Sequence, residues 1–192
     1  NSRIKAKSNP YFASFNDNYS SQNTNINKTN FTYDPLNRVI KIINPENTLK
    51  TINYDKWLIT YLDENNNRKD NYLDAHGRII NVIEFNDNEQ YNTTYTYNAA
   101  NELIFIKNAR NNTFNFTYDS LGRKIKMQDP DLGNWSYTYD KLGNLIGQAD
   151  NRNNATNLTY DLLNRIVNKN SSSENITYVY DLKLNNTLSK VI

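Results

Sequence analysis

The residue types best suited to chemistry are few and poorly grouped. The chain of 192 residues has one histidine, His76, and no cysteine. A His-based triad, a cluster of His ligands, a thiolate metal site and a disulfide framework are therefore not expected. His76 stands beside Gly77 and reads as a turn or surface residue. Aspartates recur along the chain, but only one per repeat, far short of the six to eight oxygens that Ca²⁺ takes. Capping of turns is the better use for them. Asn-x-Ser/Thr triplets such as Asn30-Phe31-Thr32 and Asn115-Phe116-Thr117 arise readily in a chain rich in Asn and Thr, and their use would need a eukaryotic secretory route. A row of tyrosines with Phe and Trp could stack on sugars, though aromatic stripes at strand spacing more often form packing surface. On these grounds no catalytic residue, cofactor or metal is expected, and the chain does not read as an enzyme.

Composition narrows the classes further. The formal net charge is +2 and is evenly spread, so no nucleic-acid footprint is expected. No apolar run approaches the ~18 residues of a membrane span. The chain begins at Asn1 with no secretory leader and reads as a segment of something longer. Low net charge argues against disorder. The 15 Tyr, 7 Phe and 2 Trp supply large buried area with polar tips, enough for a thin folded layer rather than a thick core.

The elements that hold these residues follow from an internal repeat. Tyr-Asp or a close relative recurs at Tyr33-Asp34, Tyr54-Asp55, Leu73-Asp74, Tyr97-Asn98, Tyr118-Asp119, Tyr139-Asp140, Tyr160-Asp161 and Tyr180-Asp181, mostly at intervals of 20 or 21 residues. The Tyr54 unit is short, and the Leu73 unit is long, with its excess assigned to Phe85–Gln90. Residues 1–30 do not repeat and read as an Asn- and Ser-rich edge or linker, leaving 31–192 as the repeat array.

Four residues after each Tyr stand Asn37, Leu58, Gly77, Asn101, Gly122, Gly143, Asn164 and Leu184. Gly and Asn share an ability to take positive φ at low cost, so this column predicts a tight turn with a left-handed residue. The acid beside the Tyr is placed to accept backbone N–H bonds across that turn. Arg38, Arg78, Arg123 and Arg165 follow the turn and are placed to reach an Asp of their own or of the next unit. Alternating stretches such as Phe114-Asn115-Phe116-Thr117-Tyr118 and Trp135-Ser136-Tyr137-Thr138-Tyr139 predict strands before the turn. Aliphatic pairs such as Val39-Ile40, Ile79-Ile80 and Leu145-Ile146 predict strands after it. A second turn then follows, as at Asn44-Pro45-Glu46-Asn47 or Asp150-Asn151-Arg152-Asn153. Seven to eight such hairpins give roughly 14–16 antiparallel strands with equivalent tyrosines ~9.6 Å apart. The fold predicted is all-β, a curved antiparallel sheet of tandem hairpins, with end strands that invite further pairing.

Tyr118-Asp119-Ser120-Leu121-Gly122-Arg123 followed by Asp129-Pro130-Asp131-Leu132-Gly133 resembles the YD repeat of the RHS family, as does Tyr139-Asp140-Lys141-Leu142-Gly143-Asn144. Tyr33-Asp34-Pro35-Leu36-Asn37-Arg38 and Tyr160-Asp161-Leu162-Leu163-Asn164-Arg165 fit with Asn in place of Gly. The resemblance covers about residues 31–183, and the Tyr54 and Tyr180 units depart from it most. It implies β-hairpins wound into a shell. In Rhs and Tc-type toxins such a shell encloses a C-terminal toxin domain for delivery, and in teneurins a related barrel serves adhesion. The implied partners are the rest of the shell and an enclosed toxin domain, or cell-surface glycans in the alternative reading of an adhesion or carbohydrate-binding protein. The implied location is secreted or at the cell surface. A segment of this size supplies part of a wall and cannot enclose a folded protein alone. Asp129-Pro130 resembles the autoproteolysis motif that ends some RHS shells, but it lies in mid-array and reads as a turn.

Overall fold

Strands of five to nine residues make up most of the described chain, and where aromatic or aliphatic residues alternate with Asn, Thr and Ser, as in Lys28–Tyr33, Gly133–Tyr139 and Ala155–Tyr160, burial has period two. In Gly133–Tyr139 the aromatic residues Trp135, Tyr137 and Tyr139 are partly buried, while Asn134, Ser136 and Thr138 between them are exposed. The computed structural model describes residues 3–9, 27–184 and 187–189. The chain divides into two compact units, Asn1–Thr94 and Tyr95–Ile192.

The first unit holds β1 (Ala6–Ser8), β2 (Lys28–Tyr33), β3 (Val39–Ile43), β4 (Leu49–Asp55), β5 (Leu58–Leu62), β6 (Arg68–Leu73), β7 (Ile79–Asn86) and most of β8 (Glu89–Tyr97). The second continues with β9 (Leu103–Lys107), β10 (Thr113–Tyr118), β11 (Lys124–Asp129), β12 (Gly133–Tyr139), β13 (Leu145–Ala149), β14 (Ala155–Tyr160), β15 (Ile166–Ser171) and β16 (Asn175–Thr177). Sheet order is sequence order from β1 to β16, and the registered pairs are antiparallel. A separate hairpin pairs β17 (Leu182–Leu184) with β18 (Thr187–Ser189). The all-β array of tandem hairpins is thus what the chain forms.

Register sorts the side chains onto two faces. In the second unit Phe116 pairs with Met127 and Met127 with Trp135, one line of the aromatic face. Asn115, Gln128 and Asn134 pair along the opposite, polar face, where Asn115 Nδ2 donates to Gln128 Oε1 at 3.1 Å. In the first unit Val82 and Asn71 pair with one another and are both buried. On the other face of β6, Asp70 is 1% exposed. It accepts from Thr60 Oγ1 at 2.9 Å and from Arg68 Nε and Nη2 at 2.9 and 2.6 Å, and the Arg68 guanidinium lies 4.8 Å from the centre of the Phe85 ring. The carboxylate is sheltered yet paired, the condition under which burying a charge is tolerable.

The two irregular units have simple causes. After Tyr54 the hairpin closes through two residues, Lys56-Trp57, with Lys56 at φ 52°, instead of a longer capped turn. In the Leu73 unit the connection is also two residues, with Asp87 at φ 51°, and the extra length lies in β7 and β8, which are eight and nine residues long. The residues after the capped turns are not plain strand either. Tyr139 pairs with Leu145 while Thr138 pairs with Gly147, so Ile146 is a bulge residue. The same shift occurs at Tyr33, Leu73, Tyr118 and Tyr160. A bulge at one place in each of these hairpins raises the local twist of the sheet.

Gly143 sits at φ 90° in one of these turns, and a Cβ there would meet nothing within 4 Å. The expected cost of Gly143→Val is therefore backbone strain alone, about 1–3 kcal/mol. Gly143→Asn should lose much less, because Asn37, Asn101 and Asn164 take the same conformation. Chemical denaturation checks both, and equal stability for the two variants would contradict the left-handed assignment.

Candidate functional site

A type I turn followed by a left-handed residue closes each regular hairpin on the tyrosine side. In the Tyr33 unit the Asn37 N–H donates to the Asp34 carbonyl at 3.0 Å, and the Asp34 N–H donates to the Arg38 carbonyl at 2.9 Å. Asn37, Gly77, Asn101, Gly122, Gly143 and Asn164 take φ between 59° and 90°. Gly or Asn stands here because other side chains pay a steric cost in this region.

The acid is the lock on the turn. Asp34 Oδ1 accepts the N–H groups of Leu36 and Arg38, both at 2.9 Å. Asp74, Asp119, Asp140 and Asp161 repeat the pair of bonds, and Asn98 does so through its amide oxygen. The second oxygen takes a side chain from the residue after the turn. Arg38, Arg78, Arg123 and Arg165 donate Nε to the Asp of their own turn at 2.6–2.7 Å. Asn144 Nδ2 takes the arginine's place toward Asp140 at 2.9 Å. In the Tyr97 unit the polarity is reversed: Asn98 Nδ2 donates to Glu102 Oε2 at 2.6 Å. The acid and base columns have exchanged roles without loss of the link. Asp55 does none of this; it ends β4, paired with Leu58.

The opposite turns use the same lock, which the sequence reading assigned only to the tyrosine side. Asp63 and Asp150 each accept two backbone N–H groups on Oδ1, at 2.8–2.9 Å, and a side-chain amide on Oδ2, from Asn67 and Asn154. Asn108 accepts the backbone pair, from Arg110 and Asn112. Asn47, Asn66, Asn111 and Asn153 supply the left-handed residue, with φ of 61–64°. The signal was present as Asx followed three residues later by Asn, a second series offset from the first by about half a repeat.

Tyrosine and arginine tie several hairpins to the one before. The hydroxyls of Tyr118, Tyr139, Tyr160 and Tyr180 donate to the carbonyls of Leu103, Lys124, Leu145 and Ile166, at 2.7–2.9 Å. Tyr33 does the same to Ile4 at 2.8 Å, linking β2 to the segment before it. In return, Arg123 lies over the Tyr139 ring at 4.9 Å and donates Nη1 to the Asp140 carbonyl at 3.0 Å. Arg165 lies over Tyr180 at 4.5 Å and bonds Asp181 Oδ2 at 2.6 Å. Arg38 lies over Tyr54 at 4.1 Å. Burial raises the Tyr54, Tyr118 and Tyr160 pKa values, with nearby acidic groups adding to it, so the phenols remain donors.

The other sequence candidates also lie in turns. His76 is exposed in its turn, its N–H donated to Asp74 Oδ1 at 2.9 Å. Asp129 Oδ1 accepts from the N–H groups of Asp131 and Leu132 at 2.8 and 2.9 Å, a capped turn at the Asp-Pro site. Among the described residues no three His, Cys, Asp or Glu side chains are grouped to hold a metal ion. A polar groove of about 560 Å³ lies along the second unit beside Asn115, Gln128, Asn134 and Asn151.

The capping bonds hold the acids ionised. In Asp74, Asp140, Asp63 and Asp150 the side-chain donors Arg78, Asn144, Asn67 and Asn154 lower the pKa most. In Asp119 and Asp161 the backbone N–H groups of Arg123 and Arg165 do. At Asp34 desolvation opposes ionisation and is outweighed by the bonds from Arg38. Carboxylates with lowered pKa stabilise the fold at neutral pH, and this contribution is lost as pH falls below about 4, where the unfolded chain protonates first. Melting temperature should therefore be level above that range and drop below it. The triple variant Asp119→Asn, Asp140→Asn, Asp161→Asn should be less stable at pH 7 and show a shallower acid limb. Thermal melts across pH check this, and identical acid limbs would count against the locks.

Residues 101–183 match the family model described as Teneurin YD-shell. No curated protein sequence matches the chain significantly. Among solved structures, the chain is similar to that of TcdB2-TccC3, with TM-score 0.70 at 18% identity over 83% of this chain and 9% of the other. It is similar to the Photorhabdus luminescens Tc holotoxin pore, with TM-score 0.68 at 18% identity over 80% of this chain and 9% of the other. It is similar also to TcdB2-TccC3 without its hypervariable C-terminal region, with TM-score 0.68 at 19% identity over 75% and 8%. The chain thus spans less than a tenth of the length of the structures it matches. Capped hairpins at a step of about 21 residues, the match of residues 101–183 to the YD-shell model and the shared fold make this array similar to YD-repeat shells.

Proposed function

We propose that the chain is a wall segment of an RHS-type shell that encloses a C-terminal toxin domain and helps deliver it from a larger secreted or injected bacterial protein. The observation that carries this reading is the likeness of the hairpin array to a small part of TcdB2-TccC3, one form of which is described as lacking a hypervariable C-terminal region. The chemistry supports it. The carboxylates of Asp34, Asp74, Asp119, Asp140 and Asp161 are engaged in turn hydrogen bonds. Residues 31–192 act as the wall, and the Tyr, Asp, Gly/Asn and Arg columns are its structural positions.

The test is the coding sequence that flanks this segment, followed by limited proteolysis of the purified parent protein. The expected result is many further repeats and an unrelated C-terminal domain that resists protease until the protein is denatured. A membrane anchor with adhesion modules, or a C-terminal domain cleaved freely in the native protein, would overturn the reading. Binding of cello- or chito-oligosaccharides at the polar groove would then favour the carbohydrate-binding alternative.

A further inference from the structure

The two rims of the sheet are built from the same turn but carry opposite residues at one position. In each capped turn the third residue offers its N–H to the Asx side chain and projects its own side chain outward. On the tyrosine rim this residue is Leu36, His76, Ala100, Leu121, Leu142 or Leu163. On the opposite rim it is Asn65, Arg110, Asp131 or Arg152. The backbone geometry is shared, as the hydrogen bonds of both sets show, so it does not dictate the difference. Turns favour polar residues here. Yet Leu121, Leu142 and Leu163 are 73%, 77% and 71% exposed, and Leu162 beside them is fully exposed. In the first unit Leu36 repeats the pattern at 71%. Scattered exposed leucines mean little, but a row at a fixed repeat position on one rim only is a patch.

We propose that the tyrosine rim of the Tyr95–Ile192 unit is a contact surface for another rim of the same kind, and that its occupant in solution is a second copy of this chain. Two arguments fix the occupant. The first is period: the leucines recur every 21 residues, so each is offset by two strands, ~9.6 Å, from the next. A second rim carries the same spacing and meets every leucine in register about a two-fold axis, which is how a repeated patch becomes self-complementary. The second is area: four leucines at roughly 100 Å² each leave about 400 Å² per chain, or about 800 Å² for a pair. That is below the 1,200–2,000 Å² of a stable stand-alone complex, so the contact suits weak association, or strong association only between rims joined in one polypeptide. The inference stands on the rim asymmetry and does not need the encapsulation reading.

The absence of cysteine makes the test direct. Leu142→Cys and Arg152→Cys place a thiol at the same turn position on opposite rims. With a short bis-maleimide and chain in the tens to hundreds of micromolar, Leu142→Cys should give a crosslinked dimer many-fold faster than Arg152→Cys. In sedimentation velocity the parent should associate weakly with concentration, and Leu121→Ser, Leu142→Ser, Leu163→Ser together should abolish that. These surface changes leave the turn bonds intact, and an unchanged melting temperature verifies folding. Equal crosslinking from the two rims, no crosslinking at the highest concentration, or association that survives the triple change, as edge-strand pairing would, each overturns the proposal.

Discussion

Few side chains are shielded among the described residues of either unit, and this constraint governs the rest of the structure. Among the described residues, Val82 is the only apolar side chain that is buried. Hydrophobic burial, the main source of stability in thicker domains, is therefore thinly supplied. The array depends instead on contacts that do not need an interior. These are the backbone ladder, locked turns at both rims, and tyrosine hydroxyls that reach the preceding hairpin. The aromatic rings are half-covered by their neighbours and by arginine, which supplies apolar stem and charge at once.

The lock and the tie meet in one residue. Arg123 holds its own Asp119, lies over Tyr139 and reaches the Asp140 carbonyl, while the Tyr139 hydroxyl returns to Lys124, the next residue in the chain. Turn geometry and the joining of neighbouring hairpins are thus coupled. Substitution is tolerated where the coupling has a substitute. Asn144 replaces arginine and bonds Asn164 in the next turn at 3.0 Å. Asn98 and Glu102 keep the bond by trading donor for acceptor. Arrays of this kind behave as sums of units and nearest-neighbour interfaces, and these interfaces are the second term.

Much of this was legible in the residue columns. The left-handed positions at Asn37, Gly77, Asn101, Gly122, Gly143 and Asn164 follow from Gly and Asn recurring together, because few other residues accept that φ. The alternation of Trp135, Tyr137 and Tyr139 gave strand and face together. Less was legible where the pattern is not local. In the second unit the carbonyl that accepts a tyrosine hydroxyl is a backbone atom about 15 residues away and leaves no mark in composition. The bulges at Ile80 and Ile146 read as ordinary strand, since an aliphatic pair looks alike in either case. Asp70 reads as a strand polar residue, and only register shows that Thr60 and Arg68 enclose it. In the Tyr54 unit the Tyr-Asp pair is present, but Lys56-Trp57 closes the hairpin before Asp55 reaches a turn.

The central claim is that tyrosine hydroxyls, not ring burial alone, join one hairpin to the next. Replacing Tyr118, Tyr139 and Tyr160 together with Phe keeps the rings and removes three hydroxyl–carbonyl bonds of 2.8–2.9 Å. Urea unfolding of parent and triple variant is the direct measurement. The account predicts a loss of about 1 kcal/mol per hydroxyl, about 3 kcal/mol in all, with the same slope in urea. Unfolding at the parent's midpoint, or a more stable triple variant, would contradict it.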